Sequence, residues 1–389
     1  MSIVLDGTTG ITTPAETVSG AITASTVTAT GLISGSTNYT GFKNRIINGG
    51  MVIDQRNAGA SVTPANGQYS VDRFWAGSSV ASKYSVQQNA SAVTPPVGFT
   101  KYLGATSLSA YSVVSSDALT LRQTIEGFNI ADLGWGTANA QTVTLSFWVR
   151  SSLTGTFGGA LNNSGYVRSY PFTYTISVAN TWEQKTVTIT GDTTGTWATD
   201  NTVGVIVGWS LGAGTSLSGT AGSWATATYT SATGAVSVVG TSGATFYITG
   251  VQLEKGSLAT SFDYRPYGTE LSLCQRYYEK SYDIDTVPGS ATGIGVRYSS
   301  GASGSGATTS YIVDSVNFKV SKRATNNTTV FYDAAGNSNK CVRELIGSTT
   351  TPNSVVTLVG SSQTGISMWS STGVAATSVS YHWTSSSEL

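Results

Sequence analysis

Three tryptophans, Trp135, Trp197 and Trp224, stand in Gly- and Thr-rich stretches ("DLGWGTAN", "TTGTWATD", "AGSWATAT") and not in runs of alternating apolar residues. An indole held in such a turn offers a flat face to the C–H side of a sugar ring, while neighbouring amides and carboxylates take the hydroxyls. The pattern therefore suits glycan capture, with packing between loops as its plainer use. Trp369, Tyr381 and Trp383 form a second aromatic group that could rim a receptor pocket or equally fill a core or an interface between copies.

Catalytic chemistry has less to work with. The chain holds one histidine, His382, which sits between Tyr381 and Trp383 on an alternating segment and reads as a structural or surface residue. A Ser-His-Asp triad or a two-histidine metal site would have to be built around this histidine alone or without it, and no nucleophile elbow, zinc-protease motif or phosphate loop is spelled out. Carboxylates alone would serve a glycosidase or lyase. The acids Asp54, Asp72, Glu126 and Asp132 are present, but their spacing pairs none of them, so solvated or turn roles are expected and no enzyme activity. In "VDRFW" (Val71 to Trp75) a buried Asp72–Arg73 ion pair beside Phe74 and Trp75 is expected to stitch this strand to its neighbours.

Twenty basic and 20 acidic residues give a formal net charge of zero. That removes the long-range attraction a basic chain has for nucleic acid, so no nucleic-acid partner is expected. Cys274 and Cys341 lie far apart and are expected as free thiols in a protein made in the cytosol. No cofactor is expected.

The elements that must position these side chains are strands. Charged residues are only 10% of the chain, and 45 glycines are accompanied by abundant Thr, Ser and Val, a mixture suited to pleated surfaces and turns. In "QTVTLSFWVR", Val143, Leu145, Phe147 and Val149 share one face, and the same period of two runs through Phe172, Tyr174 and Ile176, through Val187 and Ile189, and through Val203, Val205, Val207 and Trp209. Many short strands without intervening helices predict an antiparallel sandwich or jelly roll over 41–267. Residues 1–40, poor in large apolar groups, read as an extended arm that is either disordered or ordered by neighbouring chains.

"RPYGTELSLCQRYYEK" breaks the rhythm. Leu271, Cys274 and Tyr278 are spaced for one helical stripe, with Thr269 as cap, Glu270 in the first turn and Lys280 past the last, so a helical hinge is expected over 268–280. Alternation then resumes through Ile312, Val316, Phe318 and Val320, around Val330 and Tyr332, around Val356 and Leu358, and through Val379, Tyr381 and Trp383. This predicts a smaller distal β domain over 281–389, whose long polar loops could display a binding surface.

The segments "FKNRIINGGMVIDQRNAG", "YSVDRFW", "GVQLEKGSLATSFDYRPYGTELSLCQRYYEK" and "VSYHWTSSSEL" together resemble a set found in tail-fibre and related structural proteins of tailed bacteriophages. "LRQTIEG", "TLSFWVRSS", "TWEQKTVTIT" and "FYITGVQLEKG", in that order, resemble the jelly rolls of carbohydrate-binding modules. Such modules often hold a structural Ca²⁺, although no ligand loop for one is legible here. The first resemblance implies a homotrimeric virion component, attached to other tail or head proteins through residues 1–40, that adheres to a glycan or envelope receptor on the host cell. A head decoration fibre or tail-assembly adaptor is the alternative, and a polysaccharide-cleaving tailspike a lesser one, because its usual coil repeat is missing. The start "MSIVLDGTTG" has neither a basic nor an apolar run, which fits synthesis in the host cytoplasm without a signal peptide.

Overall fold

Alternation builds the first part of the molecule. Val143, Leu145, Phe147 and Val149 all point inward and are buried, as a strand with one core face requires. The computed structural model describes residues 42–300, 310–345, 348–372 and 376–389. The arm expected over 1–40 lies outside the described residues.

The strands, in chain order, are β1 (Gln68–Tyr69), β2 (Phe74–Ser78), β3 (Tyr84–Gln88), β4 (Leu103–Ser107), β5 (Ala118–Glu126), β6 (Val143–Ser151), β7 (Gly155–Asn162), β8 (Ser169–Ile176), β9 (Glu183–Ile189), β10 (Val203–Ala213), β11 (Ser218–Gly219), β12 (Ser231–Ala232) and β13 (Thr245–Lys255). Two antiparallel sheets, β1-β2-β5-β10-β7-β8 and β3-β4-β13-β6-β9, face each other as a jelly-roll sandwich, while β11 and β12 form a small parallel pair. Phe74, Phe147, Phe157, Trp209 and Phe246 fill the space between the large sheets. Against β6, the register of β13 shifts between Thr249 and Gln252. Gly250 lies in that bulge at φ +60°, where a Cβ would come within 2.6 Å of the Phe99 ring, so glycine lets Phe99 lie against the backbone.

The helix α1 spans Tyr267–Gln275, and β14 (Tyr278–Lys280) follows at once, so the helix is shorter than the expected 268–280. Cys274 in the helix and Tyr277 just past its end pack with Ile47 and Ile53. Tyr278 instead belongs to the strand. Pro266, not Thr269, is the N-cap, and it supplies no side-chain bond. Glu270 does stand in the first turn and is buried there, its carboxylate accepting the Asn48 N–H and meeting Arg265. Lys280 is buried too, donating to the carbonyls of Ile284 at 3.0 Å and Thr286 at 2.6 Å.

A second set of strands follows: β15 (Arg297–Ser300), β16 (Ser310–Asn317), β17 (Thr328–Tyr332), β18 (Lys340–Leu345), β19 (Ser348–Val355), β20 (Thr357–Ser361), β21 (Gly365–Thr372) and β22 (Ala376–Ser386). The last of these is the spine of the region, pairing with β14, β15, β17 and β18, while β16, β21 and β20 make a three-stranded sheet. Val316, Ile366, Met368, Val379, Tyr381 and Trp383 pack together here. In β17 it is Phe331 that is buried, not Val330 or Tyr332. Both cysteines are free and buried. Among the described residues no helix is long and apolar enough to cross a membrane.

Candidate functional site

The structure brings the first three candidate tryptophans together. Trp135, Trp197 and Trp224 form a mutual edge-to-face triad with ring centroids 4.7, 5.3 and 5.4 Å apart. Trp135 and Trp197 are only 6% and 8% exposed, so neither offers the open indole face that stacking on a sugar requires. Each indole N–H is also taken by a carbonyl, that of Gln141, Thr194 or Thr190 respectively. Trp224 is half-buried. In the distal sheets, Tyr381 and Trp383 are core residues, and Trp369 is half-buried on β21 in register with Val313 and Thr357.

The acids likewise have partners. Asp132 meets the Arg45 guanidinium at 2.7 and 2.8 Å. Glu126 accepts from Arg276 at 2.6 Å and from the Tyr277 hydroxyl at 2.7 Å. The expected Asp72–Arg73 pair is not made: the two residues lie in the turn before β2, where Arg73 takes φ +70°, and each side chain has another partner. Asp72 instead accepts from Gln55 and Arg56, and burial pushes its carboxyl up to about 6 against the pull of Arg56. Arg73 turns to Glu388 and lies 3.5 Å over the Tyr277 ring.

The surface most suited to a ligand is one that the sequence reading missed. Phe99, Phe262 and Tyr264 form a cluster with centroids 4.9 to 5.7 Å apart, lining a cleft of about 250 Å³ together with Val52, Arg265 and Tyr267. Gly98, at φ +93°, turns the chain so that its carbonyl accepts the Tyr264 hydroxyl at 2.9 Å. Tyr264 and Tyr267 nevertheless stay 61% and 52% exposed. Tyr267 also lines a second cleft of about 330 Å³, together with Asp54, Gln87, Gln88, Asn89, Lys101 and Asp285.

This second cleft is polar, and its groups are held in place. Asp54 accepts the N–H groups of Asn57 and Gly59 at 2.9 and 2.8 Å, and burial raises its carboxyl above the usual range. The Gln87 amide donates to the Gly59 carbonyl at 3.0 Å and that of Gln88 to the Met51 carbonyl at 2.7 Å, and both residues line the cleft. Lys101 has no ion-pair partner among the described residues. A tyrosine face between an apolar and a polar cleft can stack a ring and bond its hydroxyls at once. The legible signal was the density of aromatics around the proline in "SFDYRPYG", masked by its position before a helix.

His382 is sealed against Tyr282, the rings stacked 3.8 Å apart at 10°. Its Nε2 lies 3.0 Å from the Thr292 carbonyl and must carry the proton, while Nδ1 accepts from Ser281 at 3.1 Å. Burial pushes its pKa below the ordinary 6.5, with the Thr292 carbonyl pulling the other way. As pH falls through 6.5 the unfolded chain binds this proton first, so the stability that neutral His382 contributes fades downward from there. The chain's single imidazole NMR signal should titrate below 6.5, and the stability gap between wild type and His382→Gln should shrink as pH drops into that range. A midpoint at or above the ordinary value would contradict this assignment.

No protein-family model and no curated protein matches this chain. Among solved structures, an enzymatically active domain of bacteriophage CBA120 tailspike protein 4 aligns at 11% identity and a TM-score of 0.31, covering 55% of this chain. The match spans only 21% of that tailspike chain. A family 11 carbohydrate-binding module from Clostridium thermocellum, in complex with a β-1,3-1,4-mixed-linked tetrasaccharide, aligns at 10% identity and a TM-score of 0.26, covering 50% of this chain and 96% of its own. The N-terminal cellulose-binding domain of Cellulomonas fimi β-1,4-glucanase C aligns at 13% identity and a TM-score of 0.21, covering 41% and 82%. Likenesses of this size say nothing of what this chain binds.

Proposed function

We propose that this chain is a tailed-bacteriophage virion fibre protein that attaches to a glycan of the host surface through the two clefts meeting at Tyr267, without cleaving it. One observation carries the reading: a half-exposed tyrosine stands between an apolar cleft and a polar one, the arrangement a sugar ring needs for its two kinds of surface. The bacteriophage setting is supported by the sequence resemblance in "FKNRIINGGMVIDQRNAG" and "RPYGTELSLCQRYYEK". In a trimer three weak sites share one particle, and each raises the effective concentration of the others, so modest single-site affinity still gives firm attachment.

Purified full-length protein should bind candidate host cells and release no reducing ends from their polysaccharide. Tyr267→Ala and Tyr264→Ala should each weaken single-site binding by roughly tenfold, the worth of one stacked ring, with unchanged melting. Folded protein that binds no host surface at saturating concentration would point to a head decoration or assembly adaptor whose partners are other virion proteins.

A further inference from the structure

The outer face of the six-stranded sheet carries a charge without a counter-charge. Arg122 on β5 is 9% exposed, yet it takes part in no ion pair among the described residues. Buried guanidinium groups are as a rule matched by carboxylates, because removing the charge from water is costly and arginine cannot shed its proton. Here Nε donates to the Thr120 hydroxyl at 2.6 Å and Nη1 to the Tyr166 hydroxyl at 2.7 Å. Nη2 has no hydrogen-bond partner among the described residues and is not among the atoms sealed from solvent.

The surroundings hold that guanidinium in one place. It lies 5.1 Å from the Trp75 ring and 5.4 Å from that of Tyr166. In the cross-strand register Trp75 faces Arg122, and Arg122 faces Gly208. A Cβ at Gly208 would come within 3.3 Å of the arginine stem, and one at Gly77 within 3.2 Å of its guanidinium, so the two glycines leave room for the side chain to lie flat. Tyr166 reaches over from the turn between β7 and β8 at φ +54°, a strained conformation for a bulky residue. Trp75 is half-buried beside it, with its N–H bonded to Thr124 at 3.1 Å.

From this geometry we infer a second binding site, in which the free edge of Arg122 receives the carboxylate of an acidic sugar while the sugar's apolar face rests on Trp75. A planar guanidinium fork fits a planar carboxylate, and an aromatic plane beside it fits a pyranose ring. The choice of a sugar over a simple anion rests on the surface-glycan reading above; the uncompensated arginine does not.

The test is a titration of full-length protein with tri-galacturonate, neutral galactotriose and sodium acetate, read by tryptophan fluorescence and by NMR. Tri-galacturonate should bind at least tenfold more tightly than either of the others. Arg122→Lys, which keeps the charge and loses the fork, should weaken acidic binding about tenfold, and Arg122→Met should abolish it while melting at or above the wild-type temperature. Trp75→Leu offers an independent variant if either arginine substitution fails to fold, and should also cost about tenfold. Acidic binding that survives Arg122→Met, no binding of tri-galacturonate, or equal affinity for acetate would overturn the inference. Because this measurement uses soluble sugars and the Tyr267 variants are scored on cells, either reading can fail while the other stands.

Discussion

Glu388→Ala lowers the unfolding free energy by about 3–5 kcal/mol, the cost of stripping one partner from a buried ion pair. Glu388 meets two arginines: its Oε1 lies 2.9 Å from Arg56, and its Oε2 pairs with Arg73, which is 1% exposed. Arg73 is also bound to the Thr124 carbonyl at 2.6 Å and lies against Tyr277. Without Glu388 its guanidinium keeps its charge, and neither a carbonyl nor a tyrosine ring replaces the carboxylate. The double variant Arg73→Met with Glu388→Gln should recover most of the loss, since the pair is removed together and Arg56 keeps Asp72 at 3.5 Å. Chemical denaturation with an unchanged m-value measures both. A single variant within about 1 kcal/mol of wild type would mean that water reaches Arg73 and that the seam is not dry.

That seam shows where the sequence stops being readable. Alternation disclosed the inward faces of β6 and β10, because a period of two is a local property of consecutive residues. Arg122 on β5 was not singled out by it. It could not show that Trp75 and Gly208, and no acid among the described residues, lie across from Arg122, since these neighbours come from β2 and β10. The Asp72–Arg73 expectation failed for the same reason: the two side chains diverge, and the true partner of Arg73 is 315 positions away. Glu270 and Lys280 were read only as charges at the two ends of a helix, and that both are enclosed is set by packing that the helix's own sequence does not encode. The Tyr267 clefts were hidden similarly, because Phe99 and Gln87 reach them from strands and turns far earlier in the chain.

Trp197→Ala also costs about 3–5 kcal/mol, the usual range for emptying a buried tryptophan site. Trp197 stands edge-to-face with both Trp135 and Trp224, at 77° and 78°, so its removal uncovers two rings at once. The surrounding loops have little freedom to close the gap. Gly136, at φ +84°, donates to the Asp192 carbonyl at 2.7 Å, and a Cβ there would sit 2.7 Å from the Gly195 carbonyl oxygen. Asp192 is in turn clamped by Arg168 through two bonds of 2.7 Å. A cavity walled by such fixed backbone stays open, which places the expected cost toward the upper end of the range, and Trp197→Phe should restore only part of it. The same variant decides between the two uses open to these tryptophans. A packing triad predicts a large fall in stability, with saccharide binding retained by whatever fraction remains folded at low temperature. A stacking platform predicts the reverse, near-native stability with binding lost. With Trp135 and Trp197 this deeply enclosed, the first outcome is expected.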